Sequence, residues 1–83
     1  MLVYDVREKK VNKVMKICRQ YLDHIQNSVF EGEIKESSYR ELCNSLNDII
    51  DTEQDSVIIY ELWNKSFKRK TLGVEKREIN NII

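Results

Sequence analysis

The chain has 83 residues, of which 41% are apolar and 34% are charged, and it contains no proline; this composition excludes a disordered protein and predicts one small folded domain. Its 14 Lys and Arg residues balance 14 Asp and Glu residues, so the net charge argues against a uniformly basic nucleic-acid-binding domain. No apolar run approaches the roughly 18 residues of a membrane span and residues 1–5 lack the basic flank of a secretory signal, so we expect a cytoplasmic protein without a membrane partner.

The first predicted elements are a short apolar strand over residues 2–6 and a helix over residues 9–22. The helix repeats apolar residues at the spacing of one buried stripe, namely Val11, Val14, Met15, Cys18, Tyr21 and Leu22. Its other face is basic and carries Lys9, Lys10, Lys13, Lys16 and Arg19. This face is either solvated or contacts phosphates, and Lys13 and Lys16 are the candidate nucleic-acid-binding residues.

A second strand is predicted over residues 25–30, with Gly32 beginning the exit turn. If the first two strands lie side by side, Asp5 comes near the polar groups of Asn27 and Ser28. A carboxylate at a strand end can hold a hard cation such as Mg²⁺, but one carboxylate is too few for a metal site. The pattern therefore favours a symmetric dimer. The alternative is that Asp5 only caps the following loop or helix.

The second predicted helix begins with a capping box, in which Ser38 and Glu41 each satisfy a free backbone N–H. Its apolar stripe consists of Tyr39, Leu42, Cys43, Leu46, Ile49 and Ile50. Both cysteines, Cys18 and Cys43, fall at apolar helix positions, and the sequence has no Cys-X-X-Cys pattern. We therefore expect buried, reduced thiols.

Two further strands are predicted after a polar turn over residues 51–55. Residues 56–62 are rich in β-branched side chains and form a central strand, and residues 67–74 form a fourth strand interrupted by Gly73. Over residues 63–70, Trp63 and Phe67 are interleaved with four basic residues, which include Lys68 and Arg69. Such a mixture suits nucleic-acid backbone contact with base stacking, and it equally suits an ordinary exposed loop.

The element order β-α-β-α-β-β predicts an α+β, ferredoxin-like domain over residues 1–75, with both helices on one face and strands one and three in the centre. The uncovered sheet face predicts a homodimer that packs sheet against sheet. The tail over residues 76–83 carries Ile79, Ile82 and Ile83 at a chain end that is ordinarily polar. We expect this tail to pack on the partner protomer, with possible strand exchange.

Charge is unevenly distributed along the chain. Residues 1–22 carry six Lys and Arg against two Asp and Glu, residues 23–55 carry two against nine, and residues 56–83 carry six against three. A zero net charge therefore still leaves room for local basic faces that could contact nucleic acid.

Four segments together resemble the CRISPR-associated Cas2 family, and the resemblance runs in register from about residue 1 to residue 75. These segments are Val3-Tyr4-Asp5-Val6, Asn12-Lys13-Val14, Ile25-Gln26-Asn27-Ser28-Val29-Phe30-Glu31-Gly32 and Asp55-Ser56-Val57-Ile58-Ile59-Tyr60. The resemblance implies a ferredoxin-like homodimer that binds duplex DNA during spacer acquisition. It also implies a complex in which Cas1 integrase dimers clamp this central dimer, as a heterohexamer or heterotetramer. The implied alternative is a metal-dependent endonuclease that acts on single-stranded RNA or DNA.

The resemblance assigns roles to individual residues. Asp5 matches the family's strand-end aspartate, which implies a catalytic residue and a metal ligand that meets its dimer mate at a Mg²⁺ ion, with Mn²⁺ possible. Phe30 matches the family's phenylalanine at the end of strand two, and we expect it in the core or in the dimer interface; Ile79 and Ile82 are further interface candidates. His24 stands where many members have arginine. It is either a phosphate contact or the end of the loop before strand two, and near neutral pH it is mostly uncharged.

Outside the resemblance, the sequence also suits a small ferredoxin-like dimer of regulatory or toxin type. A neighbouring Cas1 gene and repeat array would exclude that alternative.

Overall fold

The computed structural model describes residues 1–74. Along them, two helices and five strands follow in the order β1 Leu2–Asp5, α1 Glu8–Arg19, β2 Asp23–Gln26, β3 Val29–Glu31, α2 Glu36–Ile49, β4 Ser56–Trp63 and β5 Ser66–Gly73. In this part of the chain neither helix has the length and apolar character needed to cross a membrane. The predicted tail with Ile79 and Ile82 lies outside the described residues.

The five strands form one sheet in the order β2-β3-β1-β4-β5, and every neighbouring pair is antiparallel. The central strand β1 pairs with β3 through Leu2 and Phe30, and with β4 from Leu2–Ile59 to Asp5–Ser56. This connectivity is the ferredoxin-like arrangement extended by β5. The predicted α+β fold is confirmed, and the predicted first and third strands, now β1 and β4, are neighbours inside the sheet.

The single strand predicted over residues 25–30 is wrong, because this segment contains a hairpin. The strands β2 and β3 are joined by a turn at Asn27 and Ser28, where Asn27 adopts a φ of +38°. Asparagine tolerates this left-handed conformation better than most residues with a side chain. The turn is marked only by three consecutive polar residues, 26 to 28, which include neither glycine nor proline, so the reversal was not recognised in the sequence.

The helix α2 begins earlier than predicted, and its N-terminus lacks the predicted capping box. Lys35 is the N-cap residue, with extended backbone and without a side-chain cap hydrogen bond. The Tyr39 backbone N–H donates to the Lys35 carbonyl oxygen at 2.9 Å, so Ser38 already lies inside the first turn and cannot cap it. Glu36 in that turn places a negative charge beside the positive N-terminal end of the helix dipole, which stabilises the helix.

The hydrophobic core lies between the sheet and the two helices, which pack on the same sheet face. Its buried residues are Leu2, Tyr4, Val14, Cys18, Phe30, Leu42, Cys43, Leu46, Ile50, Val57, Ile59 and Leu72. Both cysteines are buried free thiols, as predicted. Burial raises the pKa of Cys18 to about 12, so this thiol is unreactive at neutral pH.

The opposite face of the sheet has no helix over it within residues 1–74, and we call it the open face. Side chains alternate along a strand, and directly paired residues share a face. Since Leu2, Tyr4, Val57 and Ile59 point into the core, the residues between them point the other way. By this register the open face carries Val3, Asp5, Ile58, Tyr60, Leu62 and Phe67.

Candidate metal and nucleic-acid sites

Asp5 lies at the end of the central strand, on the open face. It is exposed, and its direct partner in β4 is Ser56, which is almost completely buried. The β2–β3 turn lies beside the same strand end, because the Tyr4 backbone N–H donates to the Ser28 carbonyl oxygen at 3.1 Å. The residues Asn27 and Ser28 are therefore next to the end of β1, as the sequence predicted.

The described part of a single copy does not contain a cluster of metal ligands. Among residues 1–74 no group of three or more His, Cys, Asp or Glu side chains lies close enough together to hold one. The exposed carboxylate of Asp5 fits the role of one Mg²⁺ ligand, since this ion binds through one or two carboxylates and keeps several waters. Another copy of the chain could supply a second carboxylate.

The loop that follows Asp5 is fixed by Asp55, a carboxylate that is completely buried. Asp55 Oδ1 accepts the Arg7 backbone N–H at 3.0 Å, and Oδ2 accepts the Asp51 backbone N–H at 2.8 Å. The Lys10 Nζ atom lies 3.2 Å from Oδ2. Burial raises the pKa of Asp55, but the two backbone donors and Lys10 outweigh this effect and lower the pKa to about 2. Asp55 is therefore ionised at neutral pH and joins the β1–α1 loop to the α2–β4 loop.

Sequence reasoning missed this role of Asp55, which it placed in a polar turn. The available signal was a carboxylate directly before a buried β-branched strand, since a charge in that position needs partners of opposite charge. Lys10, one of the two basic residues beside it, was instead assigned to the exposed face of the first helix.

The accessible basic face of α1 is therefore narrower than predicted. The Lys10 side chain is only 18% exposed and faces Asp55. Lys13 and Lys16 are exposed, as is Arg19 at the end of the helix. Lys13 and Lys16 stay predictions as nucleic-acid-binding residues.

His24 lies in β2 and closes the β2–β3 hairpin. Its Nε2 is 2.7 Å from the Asn27 carbonyl oxygen, and its ring stacks on Phe30 at a centroid distance of 4.5 Å and an interplanar angle of 11°. A neutral imidazole that donates through Nε2 has an acceptor at Nδ1, so only the protonated ring keeps a donor for a phosphate. The prediction that His24 contacts nucleic acid is untested.

Phe30 is completely buried and also stacks on Tyr4, with ring centroids 6.2 Å apart. Of the two alternatives for Phe30, the core is correct. The interface assignment is wrong, because no part of this side chain is accessible to a second copy.

Trp63 and Phe67, near the turn of the β4–β5 hairpin, have different environments. Trp63 Nε1 donates to Glu61 Oε1 at 2.6 Å, and the Tyr39 hydroxyl donates to Glu61 Oε2 at 2.5 Å. Burial raises the pKa of Glu61, but these two donors, together with the charges of Lys70 and Lys68, outweigh it and leave the pKa lowered. Phe67 lies on the other side of the strands, on the open face, and is 73% exposed.

The predicted binding residues do not form one cluster within a single copy. Asp5 is paired with Ser56 at the start of β4, whereas Arg69 and Lys68 are paired with residues 60 and 61. At about 3.3 Å per residue, this spacing places them roughly 13 to 17 Å from Asp5 along the sheet. The lysines of α1 belong to the helix layer, on the far side of the sheet from Asp5.

One known protein family matches the chain over most of its length. The family described as CRISPR associated protein Cas2 matches residues 1–70. The chain belongs to the CRISPR-associated Cas2 family. The Cas2 match includes Asp5, Lys13 and Lys16 of α1, His24 and the basic residues of β5, and it confirms the resemblance inferred from the sequence.

Similar Cas2 proteins match the chain over nearly its whole length. A "CRISPR-associated endoribonuclease Cas2" of Pyrococcus furiosus is 47% identical over 83 residues, which cover 100% of this chain and 96% of that protein. The protein of the same name from Thermococcus kodakarensis is 43% identical with the same coverage. That from Thermotoga maritima is 47% identical over 79 residues, covering 94% of this chain and 91% of that protein.

Proposed function

We propose that this Cas2-family chain acts as a homodimer that binds duplex DNA at the centre of a Cas1–Cas2 integration complex during spacer acquisition. The observation that supports the dimer best is the apolar open face. Leu62 and Phe67 on this face are 64% and 73% exposed, and Met1 at its edge is 51% exposed. Exposed apolar side chains grouped on one sheet face suit association with a second copy through a two-fold axis.

A dimer of this kind brings a second Asp5 carboxylate towards the first. Asp5 lies on the open face, so packing two copies through this face brings two carboxylates towards the same axis. The tail over residues 76–83, with Ile79 and Ile82, would add to the contact by packing on the partner protomer.

Binding to DNA would use local basic surfaces, because the whole chain has zero net charge. Lys13 and Lys16 on α1, and Lys68 and Arg69 on β5, are all exposed. Their contacts with phosphates would be independent of base sequence, as expected for a scaffold that accepts many different spacers.

The second candidate function is a metal-dependent endonuclease that acts on single-stranded RNA or DNA. It is supported by the exposed Asp5 carboxylate and by the relatives, which are named endoribonucleases. A Mg²⁺ or Mn²⁺ ion held between paired Asp5 residues would polarise a phosphodiester and acidify a bound water. In that function Asp5 is the metal ligand, and the basic residues orient the strand.

The deciding experiment combines spacer acquisition with complex formation. Wild type, Asp5→Asn and the pair Lys13→Gln/Lys16→Gln are each mixed with Cas1 and duplex DNA, sized by light scattering, and tested for acquisition in cells with a repeat array. The pair Lys35→Gln/Arg40→Gln is the matched control, because it removes the same charge from exposed positions in the acidic part of the chain.

The scaffold function predicts that Asp5→Asn still acquires spacers and that the α1 lysine pair does not, whereas its control does. Loss of acquisition in Asp5→Asn, with the complex intact, would favour the endonuclease. If the chain forms no complex with Cas1 and binds no duplex, the proposal fails, and a regulatory or toxin-type dimer is favoured.

A further inference from the structure

One row of side chains crosses the open face from edge to edge, with one residue from each strand. Asp23 is paired directly with Glu31, and Tyr60 is paired directly with Arg69. Met1 joins the two pairs, because it exchanges backbone hydrogen bonds with Tyr60 at 2.7 and 2.8 Å and the β1–β3 register places it opposite Glu31. The row lies on the open face, since the adjacent residues of β1, β3 and β4 point into the core.

The two ends of this row carry opposite charges. At the β2–β3 edge, Asp23 and Glu31 are both exposed, and we call them the acidic pair. Like charges directly opposite each other destabilise a strand pair, so the acidic pair is unfavourable in a single copy. At the β5 edge, the row ends at Arg69, which is also exposed.

The acidic pair and Arg69 are too far apart to meet within one copy. The strands β2 and β5 are the two outer strands of the sheet, and β3, β1 and β4 lie between them. At about 4.8 Å between neighbouring strands, the two residues of the acidic pair are roughly 14 and 19 Å from Arg69 across the sheet. A second copy can bring the opposite charges together.

Two copies that pack open face to open face through a two-fold axis can align their strands in two ways. An axis across the strands places each end of the row over the same end in the partner, where like charges meet, or leaves the two rows apart. An axis parallel to the strands, through the middle strand β1, places the acidic pair over the partner's Arg69. Packed sheets lie about 10 Å apart, a gap that an arginine and a carboxylate side chain span from opposite sides.

We propose that the open face binds a second copy with the two-fold axis parallel to the strands, and that the acidic pair of each copy contacts the partner's Arg69. The same axis brings the two Asp5 carboxylates together, because Asp5 lies at the end of the middle strand. The inference rests on the proposed homodimer, and it adds the orientation of the two copies and the charges that select this orientation. It also narrows the proposed DNA surface of β5 to Lys68, which points to the helix side with its strand partner Glu61.

The test reverses the charges in two separate variants. Asp23→Lys/Glu31→Lys makes the acidic pair basic, and Arg69→Glu makes the other end of the row acidic. Sedimentation equilibrium measures the dimer dissociation constant of each variant, and energy transfer between differently labelled copies measures the formation of mixed dimers. Circular dichroism checks that each variant is folded.

The controls reverse charges away from the open face. Glu41→Lys/Asp48→Lys changes the net charge as much as the reversal of the acidic pair, at exposed positions of α2. Lys68→Glu is the control for Arg69→Glu, because it changes the adjacent residue, on the helix side of β5. Both controls should dimerise as wild type does.

Each reversed variant should lose at least about tenfold in homodimer affinity, because like charges then meet at two symmetric contacts. An equimolar mixture of the two should form heterodimers with near wild-type affinity, since both of their contacts join opposite charges. Asp23→Asn alone should dimerise as wild type does, because it removes the repulsion with Glu31 and leaves one carboxylate for the partner's Arg69.

Wild-type dimer affinity in either reversed variant would overturn the inference. A mixture of the two folded variants that stays monomeric would also overturn it, because the charges would then not act as a pair across the axis. The proposed homodimer fails by a different result, namely a wild-type chain that stays monomeric over the whole concentration series.

Discussion

Asp5 is a single exposed carboxylate whose proposed chemistry depends on a second copy. Asp5→Asn is nearly isosteric, so it should leave the fold and dimer unchanged while removing most of the Mn²⁺ affinity and any Mg²⁺-dependent cleavage. Metal affinity is measured by Mn²⁺ titration with electron paramagnetic resonance. Asp23→Asn, an exposed aspartate elsewhere on the sheet, is the control and should behave as wild type. Cleavage that persists in Asp5→Asn, or in EDTA, would contradict the site.

Asp55 makes folding sensitive to acid. Its pKa is lowered from the ordinary 3.8 to about 2, so the folded state favours the ionised form. This contribution, on the order of 2 to 3 kcal/mol, is present above the unfolded pKa and is lost as the pH falls from about 4 to about 2. This fully buried carboxylate therefore contributes to the pH dependence of the free energy of unfolding in acid.

Asp55→Asn should destabilise the protein by about 2–4 kcal/mol at neutral pH, because Lys10 loses its buried partner. The difference from wild type in urea unfolding should shrink as the pH approaches 2, where wild-type Asp55 is also protonated. The control is Asp51→Asn, since Asp51 is one-third exposed, pairs with Arg7 only at 3.7 Å, and should cost roughly 1 kcal/mol or less. A difference that stays constant with pH would contradict the assigned charge.

Among the secondary-structure elements, helix α1 carries basic residues with two different roles. Lys10 pairs with the buried Asp55, whereas Lys13 and Lys16 are exposed. Lys13→Gln/Lys16→Gln should weaken duplex binding for all sequences and reduce the slope of log K against log salt by up to about 1.8, or about 0.9 for each phosphate that is no longer neutralised. Lys35→Gln/Arg40→Gln changes the net charge equally and should leave the slope unchanged. Fluorescence anisotropy over a salt series measures both. Equal slopes in wild type and the α1 pair would identify this face as merely solvated.

The elements differ in how well the sequence predicted them. The apolar stripes of both helices and the β-branched run before Tyr60 predicted α1, α2 and β4, because burial on one face imposes its period on the sequence. The β2–β3 hairpin was missed, since Asn27 and Ser28 carry no glycine or proline signal. The capping box at Ser38 failed because helix N-termini depend on where the preceding loop arrives, which a local motif does not contain.

The site was predictable only in part, for similar reasons. Asp5 was recognised through the resemblance to Cas2 proteins, together with its place at a strand end. Asp55 was missed because its partners Arg7 and Lys10 are distant in sequence and meet it only in the folded chain. The sheet register, rather than the composition, likewise determines that Phe67 is exposed and that Trp63 is hydrogen-bonded to Glu61.

For the whole molecule, the open face and the tail predict a dimer that depends on residues 76–83. Deleting this segment, or replacing Ile79 and Ile82 by Asn, should give monomers or aggregates, because the exposed apolar face loses part of its cover. Asn80→Ser/Asn81→Ser is the control that keeps both isoleucines. Light scattering over a concentration series measures the association. A dimer of unchanged stability after the deletion would argue squarely against strand exchange.

Asp55 also connects parts of the chain that are far apart in sequence. Its carboxylate accepts the N–H groups of Arg7 and Asp51, and its carbonyl oxygen accepts the Val74 N–H at 2.9 Å. If any one of these amides opens, an oxygen atom of the same buried residue loses its hydrogen bond. In native-state hydrogen exchange they should therefore form one cooperative unit, with closely similar opening free energies. Any force on the chain at Val74 would thus be transmitted to the loop that follows Asp5.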